Sequence, residues 1–71
     1  MNEYILEINY YNNGKIRFKS SYTDNRNKTT TEWYFENGQL DLMCHYLNYQ
    51  QIGFAKSYYQ YGGLHTTEFY L

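Results

Sequence analysis

The stretch Trp33-Tyr34-Phe35-Glu36-Asn37-Gly38-Gln39-Leu40 decides how this chain folds, because its pattern occurs three times. In each copy two aromatic residues lead into a short turn that ends in glycine, and an aliphatic residue follows two positions later. The other copies are Tyr10-Tyr11-Asn12-Asn13-Gly14-Lys15-Ile16 and Tyr58-Tyr59-Gln60-Tyr61-Gly62-Gly63-Leu64. The turn glycines are 24 residues apart, and Tyr22, Tyr46 and Tyr70 keep the same interval. The sequence therefore predicts one domain of three repeat units, at about 1–23, 24–47 and 48–71.

The composition favours an all-β fold with a small core. Sixteen of the 71 residues are Tyr, Phe or Trp and none is proline, a bias typical of pleated, half-buried surface. A domain of this size buries only about 60% of its unfolded-chain surface, so we expect something to supplement the core. The one cysteine, Cys44, cannot form an internal disulfide, and we expect it to be a small buried hydrophobe.

The charge and hydropathy pattern bears on location. No apolar run approaches the roughly 20 residues that span a bilayer, and the N-terminus lacks the basic-then-apolar layout of a secretion signal. The net charge of −1 gives no overall attraction to nucleic acid or anionic lipid. We therefore expect a cytoplasmic protein with no membrane partner, and we expect its partner to be a protein rather than a nucleic acid.

Alternating apolar residues and turn signals predict six antiparallel strands, joined as one meander in a single twisted sheet. Asn-Gly is the strongest short hairpin signal, and a two-residue turn of this kind requires positive φ at both residues. The two polar connections each read as four-residue turns. The predicted turns are Asn13-Gly14, Asp24 to Asn27, Asn37-Gly38, Asn48 to Gln51 and Tyr61-Gly62.

These turns predict a register. Two-residue turns place Tyr11 opposite Ile16, Phe35 opposite Leu40 and Tyr59 opposite Leu64. The four-residue turns place Tyr22 opposite Thr29 and Tyr46 opposite Gly53. One face of the sheet, face A, then carries those three turn pairs, a row that contains Phe18, Trp33 and Leu42, and a row of small residues that contains Ser20, Thr31, Cys44 and Ala55. We expect face A to be the core face.

The opposite face, face B, accounts for a local cluster of basic residues. In this register Lys15 is opposite Glu36, and Lys19 is opposite Glu32. Such cross-strand pairs contribute roughly 0.2 to 1 kcal/mol each on a solvated face. They explain the cluster without a polyanion site. Its members are Lys15, Arg17, Lys19, Arg26 and Lys28.

The segment Gly53-Phe54-Ala55-Lys56-Ser57-Tyr58-Tyr59-Gln60-Tyr61-Gly62-Gly63-Leu64 resembles the variant MORN repeat of bacterial proteins often described as putative antitoxins. That pattern runs from a glycine through a strand ending in two aromatics to Asn-Gly and an aliphatic residue. The resemblance implies a string of β-hairpins that contact other proteins. Some members of the family are also associated with membranes. It implies no catalytic residues that the whole family shares.

Enzyme chemistry finds little support in the sequence. Cys44 and His45 are adjacent on a strand, so their side chains point to opposite faces and cannot form a catalytic dyad. The two histidines and one cysteine lack the usual metal-ligand spacings, and no cofactor motif is present. Asp41, Tyr58 and His65 share one predicted row of face B, and they are read more simply as part of a polar-aromatic ladder.

A platform for single-stranded nucleic acid remains an alternative. Exposed aromatics beside Arg17 and Lys19 are suited to stacking on unpaired bases. Against it, Glu32, Glu36 and Asp41 lie among the same residues and would repel phosphate.

The preferred interpretation is a non-catalytic protein-binding module, in concrete form an inhibitor or antitoxin that occupies a surface of a larger protein. A small phage or mobile-element protein directed against a host enzyme fits the same features, and so does a protein encoded on a chromosome. Its candidate partner-binding residues are the apolar side chains of face B from strand four onward, with Phe54 opposite Phe69 and Ile52 opposite Leu71. They are Met43, Leu47, Ile52, Phe54, Tyr58, Phe69 and Leu71.

Two further possibilities stay open. A curled sheet can cover one of its own apolar clusters, and a purely structural, self-associating repeat protein also fits these residues. Because a single sheet leaves apolar surface uncovered, we expect a symmetric homodimer, formed by sheet packing or by joining edge strands one or six.

Overall fold

A computed structural model describes residues 2–71 as one six-stranded antiparallel sheet. Each strand pairs with its neighbours in sequence, so the predicted all-β meander is confirmed. The described residues form no helix, and so contain no helix able to cross a membrane. The strands are β1 (Tyr4–Tyr10), β2 (Ile16–Tyr22), β3 (Lys28–Tyr34), β4 (Leu40–Leu47), β5 (Gln50–Tyr58) and β6 (Leu64–Tyr70).

The three glycine turns are alike, but they are not the predicted two-residue turns. In the first, the amide of Gly14 donates to the carbonyl of Tyr11 at 3.0 Å, and the amide of Tyr11 donates to the carbonyl of Lys15 at 2.8 Å. Gly14 has φ of +87°, whereas Asn13 is not among the residues with positive φ. This is a three-residue loop, in which a type I turn is followed by a glycine in the left-handed region. Gly38 and Gly62 occupy the same position in their turns, with φ of +91° and +95°.

The longer loop shifts the pairing next to each turn by one residue. Tyr10 pairs with Ile16, Tyr34 with Leu40 and Tyr58 with Leu64, so the predicted partners Tyr11, Phe35 and Tyr59 are wrong. One extra residue in each following strand then restores the predicted register, since Trp33 pairs with Leu42. These bulge residues are Arg17, Asp41 and His65. The shared turn and bulge are compatible with three repeat units.

The connection between β4 and β5 is shorter than predicted. Asn48 and Tyr49 both have positive φ, at 51° and 70°, and Leu47 pairs with Gln50. The loop is therefore a two-residue type I′ turn instead of a four-residue one. As a result Tyr46 pairs with Gln51, and the predicted Tyr46–Gly53 pair is wrong.

The two residues by which this loop is shorter than predicted are accommodated as a bulge inside β5. Met43 pairs with Lys56, and His45 pairs with Ile52, so Gly53, Phe54 and Ala55 together oppose Cys44 alone. Gly53 adopts φ of +69° at this irregularity, a conformation that side chains other than glycine rarely take. The bulge returns β5 to the register predicted for its second half, in which Leu42 pairs with Ser57.

Very little of the chain is buried. Only Ser21, Thr31, Cys44 and Ala55 are buried among the described residues, and all four are small. Cys44, at 3% exposed, is the buried hydrophobe that the sequence predicts. The accessible area of 5236 Å² exceeds the about 4,700 Å² expected for a folded chain of this mass.

The predicted core of face A is only partly formed. Phe18, Trp33 and Leu42 lie on one face in adjacent strands, but each is half-buried. The reason is that a single sheet has no second layer to cover its side chains. These three side chains are partly buried only by neighbouring side chains on the same face.

Side chains of the turns tie neighbouring hairpins together. Asn13 donates from Nδ2 to the carbonyl of Glu36 at 3.0 Å, and Asn37 donates in the same way to the carbonyl of Gln60 at 2.8 Å. We call this pair of bonds the turn ladder. In the third turn Tyr61 stands at the equivalent place and is 91% exposed, because no further hairpin follows it in the described sheet.

We expect Asn37→Ala to lower the free energy of unfolding by about 1 to 2 kcal/mol, because it removes the bond to Gln60 and the bond that Asn37 Oδ1 accepts from the amide of Gln39. Tyr61→Ala is the matched control and should change stability by less than about 0.5 kcal/mol. Urea unfolding followed by circular dichroism measures both. Equal losses in the two variants would show that the turn ladder contributes nothing.

Candidate protein-binding face

Face B contains one row of paired residues that crosses all six strands. In the middle of the sheet, Lys19 is opposite Glu32, as predicted, and Glu32 is opposite Met43. The row therefore mixes charges with apolar side chains. From β1 to β6 it consists of Ile8, Lys19, Glu32, Met43, Lys56 and Thr67.

A second row of face B was missed by the sequence analysis. The shift at the glycine turns places Ile16, Leu40 and Leu64 opposite tyrosines of face B, whereas the predicted register assigned them to face A. Each hairpin contributes one pair of a tyrosine and an aliphatic residue to this row. Its members are Tyr10, Ile16, Tyr34, Leu40, Tyr58 and Leu64. The one signal that could have found it is the identical Tyr-to-aliphatic spacing in the three units.

The shift in pairing at the glycine turns also separates Tyr58 from His65, two of the residues considered for catalysis. His65 lies against Tyr59, with ring centroids 4.6 Å apart, and Arg17 at the equivalent bulge donates from Nε to Asn9 Oδ1 at 3.0 Å. Tyr59 and Asn9 belong to face A, so the bulge residues Arg17 and His65 turn toward that face. The predicted row that joins Tyr58 with His65 is therefore wrong.

The predicted partner-binding residues divide into two groups. Six of them lie on face B by strand pairing and alternation: Met43, Leu47, Ile52, Phe54, Tyr58 and Phe69. Leu47 is at the far end of β4, next to the type I′ turn. Leu71 follows the end of β6 and is fully exposed, and the β5–β6 ladder ends at Gly53 and Tyr70, one position before the predicted pair of Ile52 with Leu71.

Phe54 and Phe69 form the most exposed aromatic pair of this face. They are cross-strand partners, as predicted, and their ring centroids are 4.9 Å apart at an angle of 62°. Phe54 is 53% exposed and Phe69 is 58% exposed. Lys56 Nζ lies 5.8 Å from the centroid of the Phe54 ring, within the range of a cation–π contact. The bulge at Gly53 leaves Phe54 without a partner on β4, which explains its exposure.

Charge on face B is concentrated around Lys19. Its Nζ lies 3.3 Å from Glu3 Oε1 and 3.4 Å from Glu32 Oε1. Burial alone would lower the pKa of the Lys19 ammonium, but the hydrogen bond to Glu3 and the charges of both carboxylates raise it above its ordinary value. Lys19 is thus engaged inside the protein. The other predicted pair is wrong, since Lys15 Nζ donates to the carbonyl of Asn37 at 3.1 Å instead of meeting Glu36.

Tyr34 extends this network toward the glycine turns. Its hydroxyl donates to Glu32 Oε2 at 3.1 Å. Burial raises the pKa of the Tyr34 hydroxyl, and the Glu32 carboxylate raises it further. The phenol therefore stays protonated at neutral pH and acts as a donor.

We expect the stability of the chain to fall at acid pH partly through Glu3. The hydrogen bond from Ser21 Oγ, at 3.0 Å, and then Lys19 hold the pKa of Glu3 below the ordinary 4.5. A depressed carboxyl pKa contributes stability above the ordinary pKa, and that contribution is lost as pH falls through the folded-state value. Glu3→Gln should therefore flatten the pH dependence of unfolding between about pH 5 and pH 3. The effect is small because the Glu3 side chain is 45% exposed, and identical profiles would refute it.

Face A holds a second aromatic contact and the cysteine. Phe18 and Trp33 meet edge to face, with centroids 5.1 Å apart. Cys44 Sγ lies 3.6 Å from the Tyr46 hydroxyl, and this hydrogen bond raises the pKa of Tyr46. His45, on face B, instead contacts Thr30 Oγ1 through Nδ1 at 2.9 Å. Cys44 and His45 thus lie on opposite faces, as predicted.

Two shallow hollows lie at the end of the sheet away from the glycine turns. One, of about 410 Å³, is on face A between Leu6 and Tyr46. The other, of about 480 Å³, is on face B and is lined by Glu3, Ser21 and His45 among others. Within residues 2–71 no cluster of three His, Cys, Asp or Glu side chains could hold a metal ion.

Comparison with known proteins adds no assignment. No protein-family model, no curated protein and no solved structure matches this chain. The interpretation of the site consequently rests on its own residues and geometry.

Proposed function

We propose that this chain is a non-catalytic protein-binding module and that the Phe54–Phe69 pair on face B is the centre of its binding surface. The observation that carries the proposal is the exposure of two phenylalanines, in edge-to-face contact, on a sheet that has no covering layer. Exposed aromatic clusters with polar neighbours are typical of protein interaction sites.

The energy available at this pair is large for so small a protein. Complete burial of a phenylalanine side chain contributes about 1.5 to 3 kcal/mol relative to exposure. The rings are 53% and 58% exposed, so a partner that covered them would gain a little over half of this amount from each. Central aromatic residues of this kind dominate the energy of many interfaces.

The surroundings of the pair favour a protein over a nucleic acid. Lys19 is held by Glu3 and Glu32, so it has no free charge to offer to a phosphate. Lys56 Nζ lies over the Phe54 ring, 5.8 Å from its centroid. One positive charge beside two apolar rings suits an apolar protein surface with an acidic rim.

The proposed partner is a larger protein whose surface the chain occupies, so that the chain acts as an inhibitor or antitoxin. The resemblance to the variant MORN repeat supports this class, because it implies β-hairpins used for contact. The proposal places the chain in the cytoplasm, where Cys44 would remain a thiol.

Affinity capture from the native host, with quantitative mass spectrometry, tests the proposal. The wild-type chain and Tyr59→Glu, a variant of face A, should retain the same protein, whereas Phe54→Glu should lose it. Retention of a single-stranded oligonucleotide with a steep loss of affinity in salt would instead support the nucleic-acid alternative. Capture of the same protein by all three chains would exclude the Phe54–Phe69 pair as the binding surface.

A further inference from the structure

The two edge strands of the sheet differ in how well they are protected against pairing with another strand. β1 is interrupted by a bulge between Ile5 and Glu7, and Glu3, just before it, bonds Ser21 and Lys19 of β2. β6 is regular from Thr66 to Tyr70, and all seven of its residues are exposed. Natural edges are usually blunted by bulges, lysines or prolines, and from Thr66 onward β6 has none of these.

The turn ladder argues against a head-to-tail joint between β6 and the β1 of another copy. Such a joint would repeat the β2–β3 and β4–β5 junctions, in which Asn13 and Asn37 donate to the next turn. Tyr61 stands in the equivalent position and has no amide to donate. A two-fold joint between two β6 strands does not need this bond, because it places the glycine turns of the two copies at opposite ends.

We propose that a second copy of this chain pairs antiparallel with β6, about a two-fold axis at Phe69. Phe69 then faces Phe69 of the second copy, and Glu68 faces Tyr70 of the second copy. The rings of Phe54 and Phe69 from both copies form one continuous row on face B, extending the contact at 4.9 Å already present in each chain. The joint is closed and isologous, which is the commonest symmetry among soluble oligomers.

The side chains of β6 select this register over its neighbours. An axis at Glu68 would bring the two Glu68 carboxylates face to face, which is destabilising. An axis at Thr67 would place Phe69 opposite His65, which turns toward face A beside Tyr59. With the axis at Phe69, Glu68 meets a tyrosine hydroxyl, the group that it already accepts a hydrogen bond from within the chain at 2.8 Å.

This dimer does not depend on the proposed function, although it would present two Phe54 side chains on one surface. Phe54 lies on β5 and contacts only the Phe69 of its own chain in this arrangement. Phe54→Glu should therefore abolish capture of the larger protein and leave the dimer intact. The proposed dimer and the proposed binding of a larger protein can therefore be refuted independently.

Complementary charged variants test the joint, because in this register residue 69 of one copy lies opposite residue 69 of the other. Sedimentation should find the wild type at twice the 8.7 kDa chain mass and Phe69→Lys or Phe69→Glu alone as monomers, with self-association at least tenfold weaker. An equimolar mixture of the two variants should recover a dimer that contains one chain of each kind. Ile5→Lys, on the opposite edge, is the control and should remain dimeric.

Three results would overturn the proposal: a wild-type chain that stays monomeric, a Phe69→Lys chain that stays dimeric, or a mixture that stays monomeric although both variants are folded by circular dichroism. If either charged variant fails to fold, Phe69→Cys replaces it. Mild oxidation should then link the two copies through residue 69, since cross-strand neighbours lie within disulfide range. Absence of that link at concentrations where the chain is dimeric would equally reject the joint.

Discussion

Trp33→Ala should lower the free energy of unfolding by about 2 kcal/mol and leave a measurable fraction of the molecules unfolded at room temperature. Truncation of a fully buried tryptophan costs about 3 to 5 kcal/mol, and half-burial reduces the cost roughly in proportion. Trp33 packs edge to face on Phe18 and pairs with Leu42, which makes it the centre of the partial core on face A. A domain of this size has only about 3 to 5 kcal/mol of stability in total.

Urea unfolding monitored by far-ultraviolet circular dichroism measures the effect. Tyr59→Ala, a more exposed aromatic of the same face, is the control and should cost less than about 1 kcal/mol. If Trp33→Ala keeps its stability and instead loses the captured protein, the roles of the two faces are reversed, and the binding site is the aromatic group on face A.

Phe54→Glu should have the opposite profile, with unchanged folding and a loss of partner binding of about 100-fold or more. The side chain is 53% exposed, so a carboxylate there keeps its hydration in the free protein. In an interface the same carboxylate would be desolvated without a counter-charge, and a loss of about 2.7 kcal/mol corresponds to 100-fold in affinity.

Once the captured protein is identified, calorimetric or surface-based titration measures the affinity of wild type, Phe54→Glu and Tyr59→Glu. Tyr59 is similarly exposed but lies on face A, so its variant controls for the charge itself. A Phe54→Glu chain that is unfolded would show that the Phe54–Phe69 pair is part of the core instead of a contact surface.

Local sequence patterns predict much of the strand arrangement. Because side chains alternate with a period of two, the positions of Lys19, Glu32, Trp33 and Leu42 relative to the turns were enough to predict their pairing. The same alternation predicted that Phe54 meets Phe69 and that Cys44 is separated from His45. The lack of proline and the evenly spaced glycines predicted one continuous meander, which the structure confirms.

The Asn-Gly dipeptides could not distinguish the two-residue loop from the three-residue one. Both loops need glycine in the left-handed region, and they differ in whether the preceding asparagine also has positive φ. In the folded sheet Asn13 and Asn37 each accept a bond from the residue after the glycine and donate to the neighbouring turn. The second of these contacts exists only when adjacent hairpins are side by side.

The sequence by itself therefore determined the fold class, the order of the strands and the pairing in the middle of each hairpin, because these follow from residue type and a period of two. Only the tertiary structure decided that the bulges move Ile16, Leu40 and Leu64 to face B and that the bulge at Gly53 leaves Phe54 without a partner on β4. A bulge adds one or two residues to one strand, and its position depends on contacts between strands that no local pattern specifies.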